Sequence, residues 1–466
     1  MPASITPTKP TAPARFNPVA MLAASAAMFL ACMDILITNV ALPTISAELG
    51  GGMTAQQWVV DGYTLPFATL LLLAGNLSDR LGARRVFALG TAAFAASSLV
   101  CALAGSIAVL VAGRALLGVA AALILPSSMT VINEAYPREA DRRRALAIWG
   151  VGGSAATAAG PLLGGLLVPI HWSLVFSINI PVCVIILLLC LRLGASRRTR
   201  VPFDAVGQTL AVVGLGCLVG GIIEGGSEGF GAPLVVGLLV VGALGCVAFV
   251  ASQARVAHPM MPLSLFRSAG MRLALLGGFS MILNWNGLVF LCTLFLQQEL
   301  GLSPLASGLA FVPAALISIG GNLASDRLSG SHGVHFTILV GIASMACGYA
   351  LLAICAGAGA LHTVSVALGV CFAGVGGSLT TPCLANLVLR SASPEQSGIA
   401  SAVFNTMRQV GGAVGIAVFG VLVAVLPTFG MGLAASFAIS LTLLAAMLAS
   451  TLRTRVVGNS TTMPHK

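Results

Sequence analysis

Read for apolar and polar positions, the chain is a succession of apolar runs of roughly twenty residues, separated by short polar segments. Each run is long enough to cross the hydrocarbon core of a bilayer as a helix. Fourteen spans follow from the pattern: Pro18 to Leu42, Gln56 to Ala74, Val86 to Ala104, Ile107 to Ile132, Ala145 to Val168, Trp172 to Leu193, Ala205 to Ile223, Pro233 to Ala251, Met271 to Leu296, Ala306 to Leu323, Phe336 to Ala356, His362 to Leu389, Ile399 to Val425 and Met431 to Leu452. The prediction is an all-α polytopic membrane protein. Residues 1–17, polar and proline-rich, read as a disordered cytoplasmic tail, and residues 453–466 as a second one. The first run is full length and has no A-x-A cleavage site after it, so it reads as a retained helix rather than a signal peptide.

Composition supports this and narrows it. Only 8% of residues are charged, 58% are hydrophobic, and glycine occurs 55 times. A soluble core cannot absorb that much apolar sequence. The net charge of +10 is a matter of topology, not of nucleic-acid binding. With both termini cytoplasmic, every lysine and arginine except Arg114 and Arg408 falls on the inner side, and losing or adding one span would scatter them. The expected location is therefore the cytoplasmic membrane, with lipid around the spans.

The chain also repeats itself. Gly75-Asn76-Leu77-Ser78-Asp79-Arg80-Leu81, after span two, recurs after span ten as Gly321-Asn322-Leu323-Ala324-Ser325-Asp326-Arg327-Leu328. Gly118-Val119, Leu123 and Pro126 in span four recur at the same spacing in span twelve as Gly374-Val375, Leu379 and Pro382. Two matches at nearly one offset predict two six-helix halves, 18–193 and 270–452, with two further helices inserted in a linker, 194–269.

Chemistry inside the membrane is concentrated in the first half. Asp34 sits in span one and Arg114 in span four, and a helix rise of about 1.5 Å per residue puts both about 10 to 12 Å beneath the outer boundary. A charged aspartate there costs on the order of 2.5 to 3.5 kcal/mol on insertion scales, so it needs a partner or a function. At matching depth the two can pair if their spans are neighbours. A proton carrier must populate neutral and ionised forms; burial favours the first and a nearby guanidinium the second. The competing reading is a static ion pair that holds two helices together. Asp61, slightly shallower, is either a third member of a proton-coupling set or simply solvated.

The second half has Val370 where the first has Arg114, and its span nine carries Asn284, Trp285 and Asn286 without an acid. That suits a neutral or lipophilic ligand, with Asn405, Arg408 and Gln409 of span thirteen and Trp58 and Tyr63 of span two as further cavity candidates. Arg408 is open between binding substrate and bonding backbone carbonyls. Gly160, Pro161, Gly164 and Gly165 in span five permit close helix contact and a bend.

Other chemistries are excluded by residue types. Lys9 and Lys466 are the only lysines, so no phosphate-binding G-x-x-x-x-G-K-[ST] loop exists, no nucleotide or other cofactor is expected, and energy would come from a gradient. Eleven cysteines lie in apolar runs without a C-x-x-C pair, and the six histidines lie in loops, tails or span ends. Neither a metal site nor a catalytic constellation can be assembled, and an enzyme is not expected.

These motifs resemble the major facilitator superfamily, in particular its fourteen-helix drug:proton antiporter branch (EmrB/QacA type), which includes methylenomycin-resistance-like exporters. The resemblance covers residues 18–452 and rests on Asp34 with Thr38 through Pro43, Trp58 through Tyr63, Gly75 through Arg85, Arg114 with Gly118, and Gly160 through Gly165. It implies two bundles rocking about a central cavity, a proton site at Asp34 assisted by Arg114, and export of a small lipophilic compound in exchange for protons. It also implies inner-side gating by Gly75, Asp79, Arg80, Gly82, Arg84 and Arg85. In that pattern Gly75 touches a helix of the other half and Asp79 engages an arginine and a helix N-terminus. Ala147 and Ala156 stand where the antiporter signature of span five has further glycines. A proton symporter or a non-transporting sensor remains the alternative.

Overall fold

The computed structural model describes residues 18–198, 203–393 and 396–460, the side chains of 455–460 excepted. The expected disorder of residues 1–17 and the last residues of the second tail lie outside this range. Every element is helical, in chain order α1 (Pro18–Leu49), α2 (Met53–Leu81), α3 (Ala83–Ala102), α4 (Ile107–Ala135), α5 (Glu139–Leu167), α6 (Leu174–Ser177), α7 (Asn179–Leu191), α8 (Ala205–Glu228), α9 (Pro233–Gln253), α10 (Ala269–Leu294), α11 (Pro304–Leu309), α12 (Val312–His332), α13 (Val334–Gly357), α14 (Thr363–Ser391), α15 (Ser397–Val425) and α16 (Phe429–Ser460). Among the described residues fourteen helical stretches are long and apolar enough to span a membrane. Helices leave no backbone group without a partner in lipid, which is why apolar runs of this length adopt no other form.

Two spans are broken where proline removes a backbone donor. Span ten divides at Ala310 and Phe311, with Pro313 in the first turn of α12. Span six divides at Ile178, and Pro181 stands in the first turn of α7. Span nine ends in a single π turn, Phe295–Glu299. The helices also run past the apolar stretches: α16 continues to Ser460, beyond the expected end at Leu452. Outside the hydrocarbon a polar residue extends a helix as readily as an apolar one.

The internal repeat is a repeat of packing. In the first half α1 packs on α5, α2 on α4 and α3 on α4; in the second α10 packs on α15, α12 on α14 and α13 on α14. The recurring glycine shows why its position matters. Gly118 of α4 lies against the backbone of Tyr63 in α2, and Gly374 of α14 lies against Ala314 and Ser318 in α12. With lipid as apolar as leucine, helix association rests on close backbone approach, which small residues allow.

The halves touch at the end that carries no arginine loops. Gln57 Nε2 of α2 donates to Ile416 O at 3.2 Å and Ala417 O at 2.9 Å in α15, and Gln297 Nε2 donates to Val40 O at 3.0 Å. Gly165 of α5 meets Leu305 of α11, and Gly308 of α11 meets Pro161 O. Toward the arginine-rich end the halves part: a Cβ added at Gly75 of α2 would meet nothing within 4 Å.

The inserted hairpin α8–α9 lies on the flank of this seam. Val219 and Ile223 of α8 form one apolar cluster with Leu65 of α2 and with Ala413 and Ala417 of α15. Among the described residues its polar ties to the halves run to the first: Trp58 Nε1 donates to Glu224 Oε1 at 2.7 Å and Gln208 Nε2 to Thr69 O at 2.8 Å. α9 faces outward and is held to α8 through glycines. A Cβ at Gly242 would lie 2.5 Å from the backbone nitrogen of Leu218, whereas one at Gly237 would meet nothing within 4 Å. Gly242→Val is accordingly expected to destabilise the protein by about 1–3 kcal/mol through overpacking, and Gly237→Val to leave it unchanged, as thermal unfolding in one detergent would measure.

Candidate functional site

Asp34 lies in the second half of α1, on the buried face shared with Leu30, Ala31 and Thr38. Arg114 lies two turns into α4 beside Gly113, which packs on Cys101 of α3. Gly62 of α2 brings that helix to within 3.4 Å of Arg114 Cβ, counted from the Cβ it lacks. Small residues thus draw α2, α3 and α4 together around one guanidinium.

Both side chains are fully buried and joined in an ion pair, Arg114 Nη1 to Asp34 Oδ2. The second carboxylate oxygen accepts from Asn179 Nδ2 at 2.9 Å, and the same amide reaches Ser98 Oγ at 3.3 Å. Arg114 Nε donates to Val59 O at 2.8 Å. The guanidinium carbon stands 4.6 Å from the Tyr63 ring centre and 5.9 Å from that of Phe176, within cation–π range. Tyr63 OH donates in turn to Ala31 O at 3.1 Å. Two hydrogen-bonding positions stay open: Arg114 Nη2 and Asn179 Oδ1 have no partner among the described residues. A buried pair of this kind offsets its desolvation cost only when the remaining polar positions are filled, which Asn179, Val59 and the two rings largely do.

Asp61 is not solvated, as one sequence reading had it, but fully buried. Thr64 Oγ1 donates to its Oδ1 at 2.6 Å, and Oδ2 has no partner among the described residues. On the helix it stands one turn from both Gln57 and Leu65, on the stretch of α2 that meets α15. Asp34 and Asp61 therefore occupy different settings: one is enclosed within the first half, the other lies at the junction of the halves.

Several residues expected in a substrate cavity are elsewhere. Tyr63 covers the Arg114 guanidinium, because the turn of α2 that carries it faces α1 and α4, and Trp58 is tied to Glu224 of the inserted hairpin. Asn284 is fully buried, and neither of its amide atoms has a partner among the described residues. Trp285 and Asn286 are half-buried on α10, Asn286 against Gly412. Arg408 is half-buried on α15 beside Gly278 and stacks 5.7 Å from the Phe404 ring centre. Among the described residues it bonds no backbone carbonyl; its Nη1 donates to Asn405 Oδ1 at 3.3 Å. Gln409 follows it, half-buried.

The span-five glycines divide between two neighbours. Gly160 and Gly164 face Leu36 and Val40 of α1, while Pro161 and Gly165 face α11 across the seam. The gating stretch makes different contacts from those the resemblance implied. Gly75 touches no helix of the other half, and Asp79 forms no ion pair among the described residues. Instead the turn into α3 packs on the linker to the hairpin. Gly82, at φ +93°, has Ser196 3.3 Å from its missing Cβ, so both its backbone conformation and its surroundings disfavour a side chain. Arg84 N donates to Ser196 Oγ at 2.9 Å, Arg80 lies 6.0 Å from the Phe203 ring centre, and Arg85 is exposed. The contacts implied for Gly75 and Asp79 require the halves to meet at the arginine-rich end, and here they part there.

Reading the sequence for charges within spans passed over the uncharged Asn179, Ser98 and Gln57, and over Glu224 because it falls just past the expected end of span seven at Ile223. A signal was present, since side-chain amides and hydroxyls within apolar runs need partners as charges do.

Fold and site together define a two-bundle helical membrane transporter with an ion pair enclosed in one bundle. The Major Facilitator Superfamily model matches residues 24–416, and the chain belongs to that family. It is 34% identical over 409 residues to the multidrug resistance protein Stp of Mycobacterium tuberculosis, covering 87% of this chain and 75% of that protein. It is 33% identical over 426 residues to the methylenomycin A resistance protein of Streptomyces coelicolor, covering 90% and 88%. A crystal structure of a peptide transporter POT shares the fold, with a TM-score of 0.70, 15% identity and coverage of 93% of this chain and 94% of that one.

Removing one partner of the buried pair should cost more than removing both. Arg114→Met alone is expected to destabilise the protein by about 3–5 kcal/mol, and Asp34→Leu in the same chain to restore most of the loss, read as thermal unfolding in a double-mutant cycle.

Proposed function

We propose that the protein exports lipophilic antibiotics or other toxic compounds across the cytoplasmic membrane in exchange for protons, by alternating access. In this reading both termini are cytoplasmic, the arginine-rich end faces the cytoplasm, and the arrangement described is open inward. The observation that carries the reading is the enclosed Asp34, whose two oxygens are engaged by Arg114 and Asn179. An ionised aspartate so deep in a membrane helix is retained at a cost, and such residues mark ion and proton pathways. The resistance function in the names of Stp and the methylenomycin A relative supports the direction of transport.

Asp61 supplies the coupling to movement. A carboxylate on the seam between α2 and α15 is dry when the outer ends are closed and wet when they part. An ionised acid with one oxygen lacking a donor opposes closure, and a protonated one permits it. Proton uptake from outside thereby licenses return to the inward-open state. There the proton passes from Asp61 to Asp34, parted from Arg114, and leaves toward the cytoplasm as Asp34 and Arg114 pair again, and the Asp61 left without its proton favours reopening outward. Substrate enters between the halves, where Trp285, Asn286, Asn405, Arg408 and Gln409 offer apolar and polar contacts. Gly75, Asp79, Arg80, Gly82, Arg84 and Arg85 close the inner end when the outer one opens, and Gly160 to Gly165 let α5 slide between α1 and α11.

One proton moving inward contributes about 2.3 kcal/mol per 100 mV, enough to hold a neutral substrate at a concentration ratio of roughly fifty. In energised inverted vesicles, substrate addition is expected to alkalinise an acidic lumen; acidification would instead mean symport, and no proton movement across a panel of lipophilic antibiotics would mean neither. Asp34→Asn is expected to abolish proton-driven uptake into such vesicles while the protein still folds. Asp61→Asn, neutral in both states, should retain substrate exchange between preloaded vesicles and lose the response to a pH gradient.

A further inference from the structure

On the wall of the first half, where α3 and α7 pack on each other and on α1 and α4 rather than on the second half, an open cleft of about 630 Å³ lies at the arginine-rich end. Its floor is apolar, with Val184, Leu188 and Leu191 exposed along α7. Its rim carries Arg84, Arg85 and Arg198. None of the three forms an ion pair among the described residues, and the guanidinium of Arg84 has only the carbonyl of Leu191, at 3.4 Å.

We propose that this cleft holds one anionic phospholipid, its phosphate among Arg84, Arg85 and Arg198 and an acyl chain along the α3–α7 groove. Charge and polarity vary across the cleft as they do along such a molecule: cations at the membrane boundary, aliphatic side chains beneath. Guanidinium groups match phosphate geometry through paired donors. A soluble phosphate would use the rim and leave the floor bare, which is why a lipid fits better.

The site also has a place in the architecture. The rim is made of two segments already joined, the α2–α3 turn at Gly82 to Arg85 and the linker at Ala195 to Arg198, through Arg84 N to Ser196 Oγ at 2.9 Å, while Arg197 N ties the linker to Glu134 Oε1 of α4 at 3.0 Å. A phosphate bridging Arg85 and Arg198 would add a second tie between the turn that bears the gating residues and the strand of chain leading into the inserted hairpin.

The test uses the full-length protein in detergent, titrated with palmitoyl-oleoyl phosphatidylglycerol, phosphatidylcholine or glycerol 3-phosphate. Native mass spectrometry counts bound lipid and thermal unfolding reads its effect. One phosphatidylglycerol per protein is expected to persist, with a rise in unfolding temperature that phosphatidylcholine does not give. Arg198→Glu, outside the gating motif, is expected to weaken this binding roughly 25-fold, two charge units at about five-fold each. Arg390→Glu, on the second half, should leave it unchanged. Equal retention of the two lipids, equal loss in both variants, or the same stabilisation by glycerol 3-phosphate would overturn the assignment.

Discussion

The ion pair between Asp34 and Arg114 constrains everything around it. Two charges removed from water to the interior of a helical bundle are costly unless they are matched to each other and to most of the donors and acceptors nearby. That requirement recruits Asn179 from α7, the carbonyl of Val59 from α2 and the faces of Tyr63 and Phe176. Four transmembrane helices and the short α6 contribute to satisfying one guanidinium and one carboxylate.

Small residues do the complementary work. With no hydrophobic drive between helices in lipid, the contacts that hold this protein are close backbone approaches, at Gly118 on Tyr63, Gly374 on α12 and Gly165 on Leu305. The same property makes the seam separable. Apart from the Gln57 and Gln297 bonds, the contacts across it among the described residues are mostly between small and aliphatic residues, which exchange for one another at little cost. Among the described residues the hairpin α8–α9 is bound to the first half by two hydrogen bonds and to the second by apolar contact.

The fold was legible because its signals are long and redundant. A run of twenty apolar residues has one solution in a bilayer, and the sorting of arginines checks the count of runs against itself. The candidate pair was legible for a related reason: an isolated acid and an isolated base at equal depth in separate spans have few other partners available. The pairing of Asp61 with Thr64 was within reach of local spacing, but its complete burial was not, because that depends on α2 lying against another half of the molecule. Tyr63 and Trp58 were expected in the cavity from their type alone, and the side of α2 on which each falls sent one to the ion pair and the other to the hairpin.

The amino-acid order by itself determined the number of spans, the internal repeat, the lack of a nucleotide-binding loop, and the two charges that have to meet, since each depends on local hydropathy or on the scarcity of alternatives. Tertiary structure alone decided that Asn179 completes the carboxylate cage, that Asp61 is dry, that Gly75 faces open space, and that the hairpin flanks the seam. Those outcomes rest on which faces of distant helices touch, and helix faces in lipid are chosen by the fit of small side chains, a property that no single stretch of the chain contains.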